Sequence, residues 1–388
     1  MKKDVAILGS TGSIGENTIK IFRKDKKNFN IVLLSTNRNI SKIFKQAKEF
    51  KVKNLIINDY KKFSEAIIKN KNKGINIYNN FKDIDKIFKK KSIYYSMLAV
   101  SGLIGLEPAL LLCKYTKNLA IVNKEPLICG WNLIKRNLIK YNTNFLPIDS
   151  EHYSILTLLK SHNINDIEKI YITASGGPFI NYPKKNFNKI KPKKALKHPN
   201  WKMGKKISID SATLMNKVFE VIEAKNIFNI SYDTISILTH PDSYLHALIK
   251  FKSGIIKVLI HEPDMKIPIS NSIYQSDLKK INTSPLNLKL INNLNLKKVD
   301  TLKFPTIKLL KNLPKYNSLY ETVLITVNDF LVYKFLRNEI NFQELIDLII
   351  KIVNRKEFLK YKKIKPKNLD QIYKLKEYVS FKMKHLSV

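Results

Sequence analysis

Between His198 and Glu220 the chain reads HPNWKMGKKISIDSATLMNKVFE, a stretch dense in groups that could grip a ligand. A helix is expected to begin inside it, with Asp210 or Ser211 as the N-cap of the Ala-Thr-Leu-Met run. On that helix Asn216 and Glu220 are four apart and Lys217 and Glu220 three apart, so all three share a face. An amide, an ammonium and a carboxylate beside a helix N-terminus suit an anionic ligand and a cation together. A solvated charged face is the plainer alternative. A second acidic cluster, Asp149-Ser150-Glu151-His152, follows the apolar residues 145–148. If those form a strand, the cluster lies at its carboxyl end, where open α/β sheets bind ligands. In extended chain Asp149 and Glu151 would point to one side and repel unless a cation lay between them. With Glu220 they would make an all-oxygen site suited to Mg²⁺ or Mn²⁺, and no Cys/His spacing argues for zinc. Such a pair by itself is more commonly a cap or an ion pair.

A third piece is Gly9-Ser-Thr-Gly12-Ser-Ile-Gly15, set between strand-like residues 5–8 and helix-like residues 17–22. Strand, glycine turn and helix is the context in which a dinucleotide fingerprint is credible, although the spacing is GxxGxxG. The next strand, 31–34, runs into Ser35-Thr36-Asn37-Arg38-Asn39, with no acid for a ribose 2′-hydroxyl. Arg38, one of five arginines in the chain, suits a 2′-phosphate and so NADPH over NADH.

These motifs carry a resemblance. GSTGSIG, Asn123-Lys124-Glu125, DSEH, Ser175-Gly-Gly-Pro-Phe179, the HPNWKMG…DSATLMNK block, His240-Pro-Asp-Ser243 and Pro263-Asp-Met265 occur in this order. Together they resemble the 1-deoxy-D-xylulose 5-phosphate reductoisomerase family, over residues 9 to about 270. Beyond that the likeness is diffuse, with weak echoes at Lys303-Phe-Pro305 and Val327-Asn-Asp329.

The resemblance implies roles. Asp149, Glu151 and Glu220 would ligate Mn²⁺, Mg²⁺ or Co²⁺, and Ser175, Ser211, Asn216 and Lys217 would hold a sugar phosphate, with His198 close by. Lys124 and Ser150 would touch the sugar backbone, beside the catalytic acids. Thr11, Gly12, Ser13, Ile14, Asn37, Arg38, Asn39, Asn123, Glu125 and Gly204 would line the NADPH site, and Trp201 and Met203 belong to a flap that closes over substrate. Taken one at a time, Ser175 reads more readily as a structural turn residue and His198 as a structural histidine. The implied reaction breaks and re-forms a carbon–carbon bond of 1-deoxy-D-xylulose 5-phosphate before hydride reduces the resulting aldehyde, on the methylerythritol phosphate route to isoprenoids. Reactive fragments must be kept from water, so a lid is wanted. A homodimer is also implied. The chain departs from the family's pattern in three places, one being bulky Leu, Val, Tyr and Phe over Tyr316–Phe335 where small residues are common, read as drift in the scaffold. Asn37 replaces a usual Gly, where Asn can tolerate positive φ. Pro126 replaces a usual Ser and is expected to bias Glu125 towards extended backbone. Two other readings are a plain NADP-dependent phosphosugar dehydrogenase and a non-catalytic descendant; three carboxylates argue against the first, retention of every ligand against the second.

The elements needed to position these groups can be read coarsely. Residues 1–149 alternate strand text (5–8, 31–34, 54–57, 94–100, 120–122) with helix text, the pattern of a Rossmann-type, doubly wound α/β domain binding NADPH. Residues 150–282 read as a central α/β catalytic domain carrying the flap, with strands at 169–173, 234–238 and 255–260. A polar stretch, 283–311, reads as a connector, and 312–388 as a C-terminal α-helical bundle, with helical periodicity clearest at 342–353. The net charge of +39 in 388 residues invites a nucleic-acid reading. Yet the lysines are spread throughout, as in the surface helix expected at 61–73, and arginine is scarce. An AT-rich bacterial genome accounts for the lysine, asparagine and isoleucine, and no specific nucleic-acid partner is expected. No apolar run spans a membrane, and no signal segment is read before the first strand. Cys113 and Cys129, both in apolar surroundings, suit buried thiols in the cytoplasm.

Overall fold

The fold was obtained as a computed structural model that describes residues 1–70, 74–90, 92–201, 203–275, 277 and 279–385. By internal contact the chain forms two compact units. The first comprises Met1–Pro126, Asn132–Asp149 and Met265–Ile281; the second comprises Leu127–Trp131, Ser150–Asp264 and Asn282–Val388.

The first unit is built on a seven-stranded, all-parallel sheet of β1 (Lys3–Leu8), β2 (Phe29–Thr36), β3 (Asn54–Ile57), β4 (Asn76–Tyr78), β5 (Ile93–Leu98), β6 (Thr116–Ile121) and β7 (Asn144–Pro147). The spatial order is β4-β3-β2-β1-β5-β6-β7, so the winding reverses between β1 and β5. At such a switch point the carboxyl ends of the strands open a crevice for ligands. Val5, Ile7, Ile31, Leu34, Leu55 and Met97 pack with Ile19 and Phe22 of the helix Ser13–Lys24. Near-continuous apolar strands of this kind are what a sheet covered on both faces requires. The strand expected at 94–100 stops at Leu98, and the short β4 was not anticipated. The helix expected at 61–73 runs Tyr60–Lys69, and residues 71–73 lie outside those described.

A late segment completes this core. The helix Lys266–Tyr274 was expected with the central domain, but Ile269 and Ile273 join the first unit's cluster. Tyr95 Oη and Ser272 Oγ lie 2.8 Å apart, and Tyr274 Oη donates to Asp25 at 2.9 Å. Both Cys113 and Cys129 are buried as thiols.

The second unit holds a five-stranded mixed sheet of β8 (Ile167–Ala174), β9 (Ile235–Thr239), β10 (Leu245–Phe251), β11 (Ile256–Ile260) and β12 (Lys297–Lys298), ordered β11-β10-β8-β9-β12. Only β8 and β9 run parallel; the other pairings are antiparallel. Ile155 and Leu158 of the helix Ser150–Leu158 and Val221 and Ala224 of the helix Met215–Phe228 cover one face, against Ile170, Ile172, Ala247 and Ile249. β10 is not among the strands expected from the sequence. The supposed connector contains a helical turn at Leu288–Asn292, β12, and 3₁₀ turns at Pro305–Asn312. The helices Tyr320–Leu336, Phe342–Val353 and Leu369–His385 follow and belong to the same unit as 150–264. Residues 320–328 are all buried, which explains their bulky Val, Leu and Ile.

Candidate active site

In the first unit the fingerprint turn is dictated by close backbone contact. Gly9 has φ +82°, and a Cβ there would lie 2.4 Å from the Ala99 carbonyl oxygen; at Gly15 it would lie 2.3 Å from that of Gly9. The turn therefore packs backbone on backbone where β1 and β5 end, and delivers Gly12 as the N-cap of Ser13–Lys24 with no side chain capping it. Amides at such a helix start are an anion cradle. Thr11 Oγ1 and Thr36 Oγ1 are 2.7 Å apart, and Gly9 N donates to Ser35 Oγ at 2.9 Å. Ser13 opens the helix and Ile14 packs on the core.

Asn39 caps the helix Ile40–Phe50, accepting from Lys42 N. Arg38 binds Asp59 at 2.8 Å on the surface. The Lys62 amide, followed by Arg38, holds the Asp59 carboxyl below its ordinary range. Asn37 does not adopt positive φ, so its replacement of a glycine needs no left-handed tolerance. Asn123 Nδ2 donates to the Gly102 carbonyl. Lys124 and Glu125, both buried, begin the helix Lys124–Cys129. Pro126 thus stands in a first helical turn, where its missing N–H costs nothing, and Glu125 is helical rather than extended. Lys124 Nζ is ion-paired with Asp149, two residues beyond β7.

In the second unit the expected groups converge in pairs. Lys217 Nζ donates to Glu151 at 2.7 Å and also to Glu220, whose other oxygen accepts from Asn216 Nδ2. Lys217 and Glu220 are 4% and 1% exposed, which excludes a solvated charged face. Burial opposes the Lys217 charge, but Glu151 and Glu220 outweigh it and hold its pKa above the ordinary lysine value. Ser150 Oγ donates to Glu151 at 2.6 Å, and His152 Nε2 meets the Glu220 carbonyl oxygen at 2.8 Å.

Two local expectations fail here. Glu151 is not on extended chain: it lies in the first turn of Ser150–Leu158, so the alternation of a strand does not set its direction. Neither Asp210 nor Ser211 caps the Asn216 helix. They end a separate helix, Lys205–Ala212, and the chain breaks at Leu214 (φ +60°) before Met215–Phe228 begins. The break is held from outside, by Thr306 Oγ1 donating to the Thr213 carbonyl at 2.6 Å. The shared face of Asn216, Lys217 and Glu220 survives because it depends only on spacing within the second helix.

Ser175 directly follows β8 and leads into a turn made by Gly176 and Gly177, both at positive φ. A Cβ on Gly177 would lie 2.9 Å from the Ser211 carbonyl oxygen, so the turn is pressed against the segment carrying Ser211. Phe179 anchors it from below, against Phe187 and Phe342. Ser175 Oγ and His198 Nε2 are 2.9 Å apart. Burial, aided by the Lys217 charge, pushes His198 down to about 4. Trp201 and Met203 are half-buried, and Gly204 is the N-cap of Lys205–Ala212.

Trp201 meets His246 edge to face at 6.1 Å, and His246 stacks on His261 at 3.7 Å. Burial, then His261, pushes His246 down to about 3. Neither histidine was singled out from sequence, although both lie close to motifs that were, HPDS and PDM.

Residues 5–130 match the family described as 1-deoxy-D-xylulose 5-phosphate reductoisomerase, and 145–228 and 260–380 match its two C-terminal domains. The chain is 53% identical over 387 residues to the reductoisomerase of Pelagibacter ubique (strain HTCC1062), covering 100% of both. It is 37% identical over 362 residues to that of Sulfurihydrogenibium sp. (strain YO3AOP1), covering 92% of each. Among solved structures, the Zymomonas mobilis enzyme in complex with NADPH superposes with a TM-score of 0.88 at 26% identity, over 100% of both chains. A DOX-P reductoisomerase in complex with NADPH, fosmidomycin and magnesium does so at 0.91 and 27%, over 98% of this chain and 97% of that one. By sequence and by fold along its whole length, this chain belongs to the 1-deoxy-D-xylulose 5-phosphate reductoisomerase family.

Proposed function

We propose that the chain catalyses the NADPH- and divalent-metal-dependent rearrangement and reduction of 1-deoxy-D-xylulose 5-phosphate to 2-C-methyl-D-erythritol 4-phosphate, on the methylerythritol phosphate route to isoprenoids. The observation that carries this reading is the Glu151–Lys217–Glu220 group, two carboxylates gathered around one buried ammonium. Relatives solved with NADPH and with magnesium are the ground for naming both cofactors.

The donor set fits a hard cation. Glu151 and Glu220 offer only oxygen and already face an ammonium, and Asp149, two residues earlier, is the third proposed ligand. Mg²⁺, Mn²⁺ and Co²⁺ all accept such ligands. When bound, the metal supplies Lewis acidity to the ketone and NADPH supplies hydride. The chain's own residues bind, orient and exclude water. Ser175, Ser211, Asn216 and Lys217 grip the phosphate, with His198 beside them, and Lys124 and Ser150 orient the sugar backbone. Thr11, Gly12, Ser13, Ile14, Asn37, Arg38, Asn39, Asn123, Glu125 and Gly204 line the cofactor site. Arg38 can exchange Asp59 for a 2′-phosphate, since an exposed ion pair is weakly held. The loop of Trp201 and Met203 shields the reacting carbons, and binding energy from the distant phosphate drives its closure.

The protein is further read as a homodimer of the bacterial cytoplasm, which light scattering and fractionation test. Among the described residues no helix is long and apolar enough to cross a membrane. The deciding experiment follows NADPH absorbance with 1-deoxy-D-xylulose 5-phosphate, with and without Mn²⁺ or Mg²⁺, and identifies the product. Oxidation that needs metal and yields a branched polyol phosphate is expected. Metal-independent oxidation to a linear product would instead make this a plain dehydrogenase.

A further inference from the structure

The loop that begins at His198 is tied to that residue's own ring. His198 Nδ1 lies 3.1 Å from the amide nitrogen of Asn200 and 3.0 Å from that of Trp201. An amide N–H can only donate, so Nδ1 presents its lone pair and the ring proton sits on Nε2. Nε2 is 2.9 Å from Ser175 Oγ, which therefore accepts. The same oxygen accepts from Gly177 N at 3.1 Å. A hydroxyl has two lone pairs and one proton. With both lone pairs of Ser175 engaged, the O–H is what it has to give, and an acceptor-only group such as a phosphate oxygen is the matching partner.

The loop has further moorings that do not involve the ring. Asn200 Nδ2 donates to the Pro241 carbonyl at 2.5 Å and to Ser243 Oγ at 2.9 Å, and Trp201 rests against His246. The loop is thus fixed from one side by the His240–Ser243 turn and from the other by His198. Its position and the tautomer of His198 are linked through two hydrogen bonds.

We propose that His198 is a positioning residue that couples the Trp201 loop to the polarity of Ser175: while the two loop amides hold Nδ1, Ser175 is set to donate to a phosphate. When the loop lifts, Nδ1 loses both donors and the neutral ring is free to move its proton there. Ser175 then turns its O–H onto Nε2 and offers the ligand a lone pair, which a phosphate oxygen repels. The ring stays neutral throughout, in keeping with burial that holds it to about pH 4. This inference rests on the sugar-phosphate reading above and goes beyond it, because it makes phosphate affinity depend on loop position.

Two substitutions divide the ring's duties. His198→Asn keeps an oxygen near the Nδ1 position to accept the amides but cannot reach Ser175. His198→Gln keeps an N–H near the Nε2 position to donate to Ser175 but has no acceptor for the amides. Hydrogen exchange of the Asn200 and Trp201 amides, measured on the full chain without substrate, is expected near wild type in the Asn variant and about tenfold or more faster in the Gln variant. KM for the sugar phosphate should rise about tenfold in the Asn variant with kcat within about twofold. On the unaltered protein, the ¹⁵N shifts of labelled His198 should report the Nε2–H form. An Nδ1–H form, equal exchange in both variants, or an unchanged KM in the Asn variant would each overturn the proposal. Absent turnover in wild-type protein would strike the sugar-phosphate reading instead, and would leave the exchange and tautomer results to stand or fall alone.

Discussion

Lys217→Met should expose what the buried ammonium does for the fold. Its side chain is 5% exposed and sits between Glu151 (13%) and Glu220 (1%). Methionine keeps most of the volume and removes the charge, leaving two carboxyls without the cation between them. Stripping one partner from a buried ion pair costs about 3–5 kcal/mol. Proton uptake limits the loss: neutralising one glutamate of ordinary pKa at pH 7 costs about 3.7 kcal/mol. The expected destabilisation is therefore about 3–4 kcal/mol, or roughly 10 °C in Tm for a unit of this size. Thermal melts by circular dichroism at pH 7, first in EDTA and then in excess Mg²⁺, give the assay. The variant should regain much of its loss with Mg²⁺, because a divalent ion supplies the missing cation, and its gain should exceed that of wild type. A fall below about 2 °C in EDTA, or equal Mg²⁺ gains in both proteins, would refute the reasoning.

Two further outcomes follow from described geometry. Gly15→Ala should destabilise by about 1–3 kcal/mol and weaken NADPH binding, because its Cβ meets only backbone, whereas Gly12→Ala, with the nearest atom at 3.5 Å, should cost far less stability; melts and NADPH fluorescence titration compare them, and equal melts would count against the close-contact argument. Burial pushes the Glu321 carboxyl up to about 7, against hydrogen bonds from Ser318. The folded chain then keeps a proton that the unfolded chain has lost, so stability falls as pH rises from about 4.3 to 7 and levels above it. Glu321→Gln should flatten that profile and melt higher than wild type at pH 8; parallel profiles would show that Glu321 is not the titrating group.

Much of the site was legible because its demands are local. Gly9 and Gly15 are required by atoms within one turn, and the Asn216–Lys217–Glu220 face follows from helical spacing alone. What was misread depends on distant chain. Leucine gives no hint of left-handed backbone, and the Leu214 break persists because Thr306, from a stretch that read as connector, bonds Thr213. Glu151 was placed by a strand that had already ended. β10 was missed because Leu245, His246 and Ala247 are buried in succession, which blurs the alternation of a half-exposed strand. His246 and His261 come together only because β10 and β11 pair, and no spacing announces that.

The helix Lys266–Tyr274 has a consequence for how the protein is made. The nucleotide-binding sheet is written in the first 149 residues, yet Ile269, Ile273, Ser272 and Tyr274 finish its core. In order of synthesis all seven strands of this sheet, and then strands β8 to β11 of the second unit, precede the helix that covers one apolar flank. Until then the exposed Phe29, Ile19 and Tyr95 neighbourhood is a surface for chaperones to occupy. A fragment cut after Asp149 inherits that bare flank permanently, whereas one with residues 265–281 joined by a linker carries its own cover.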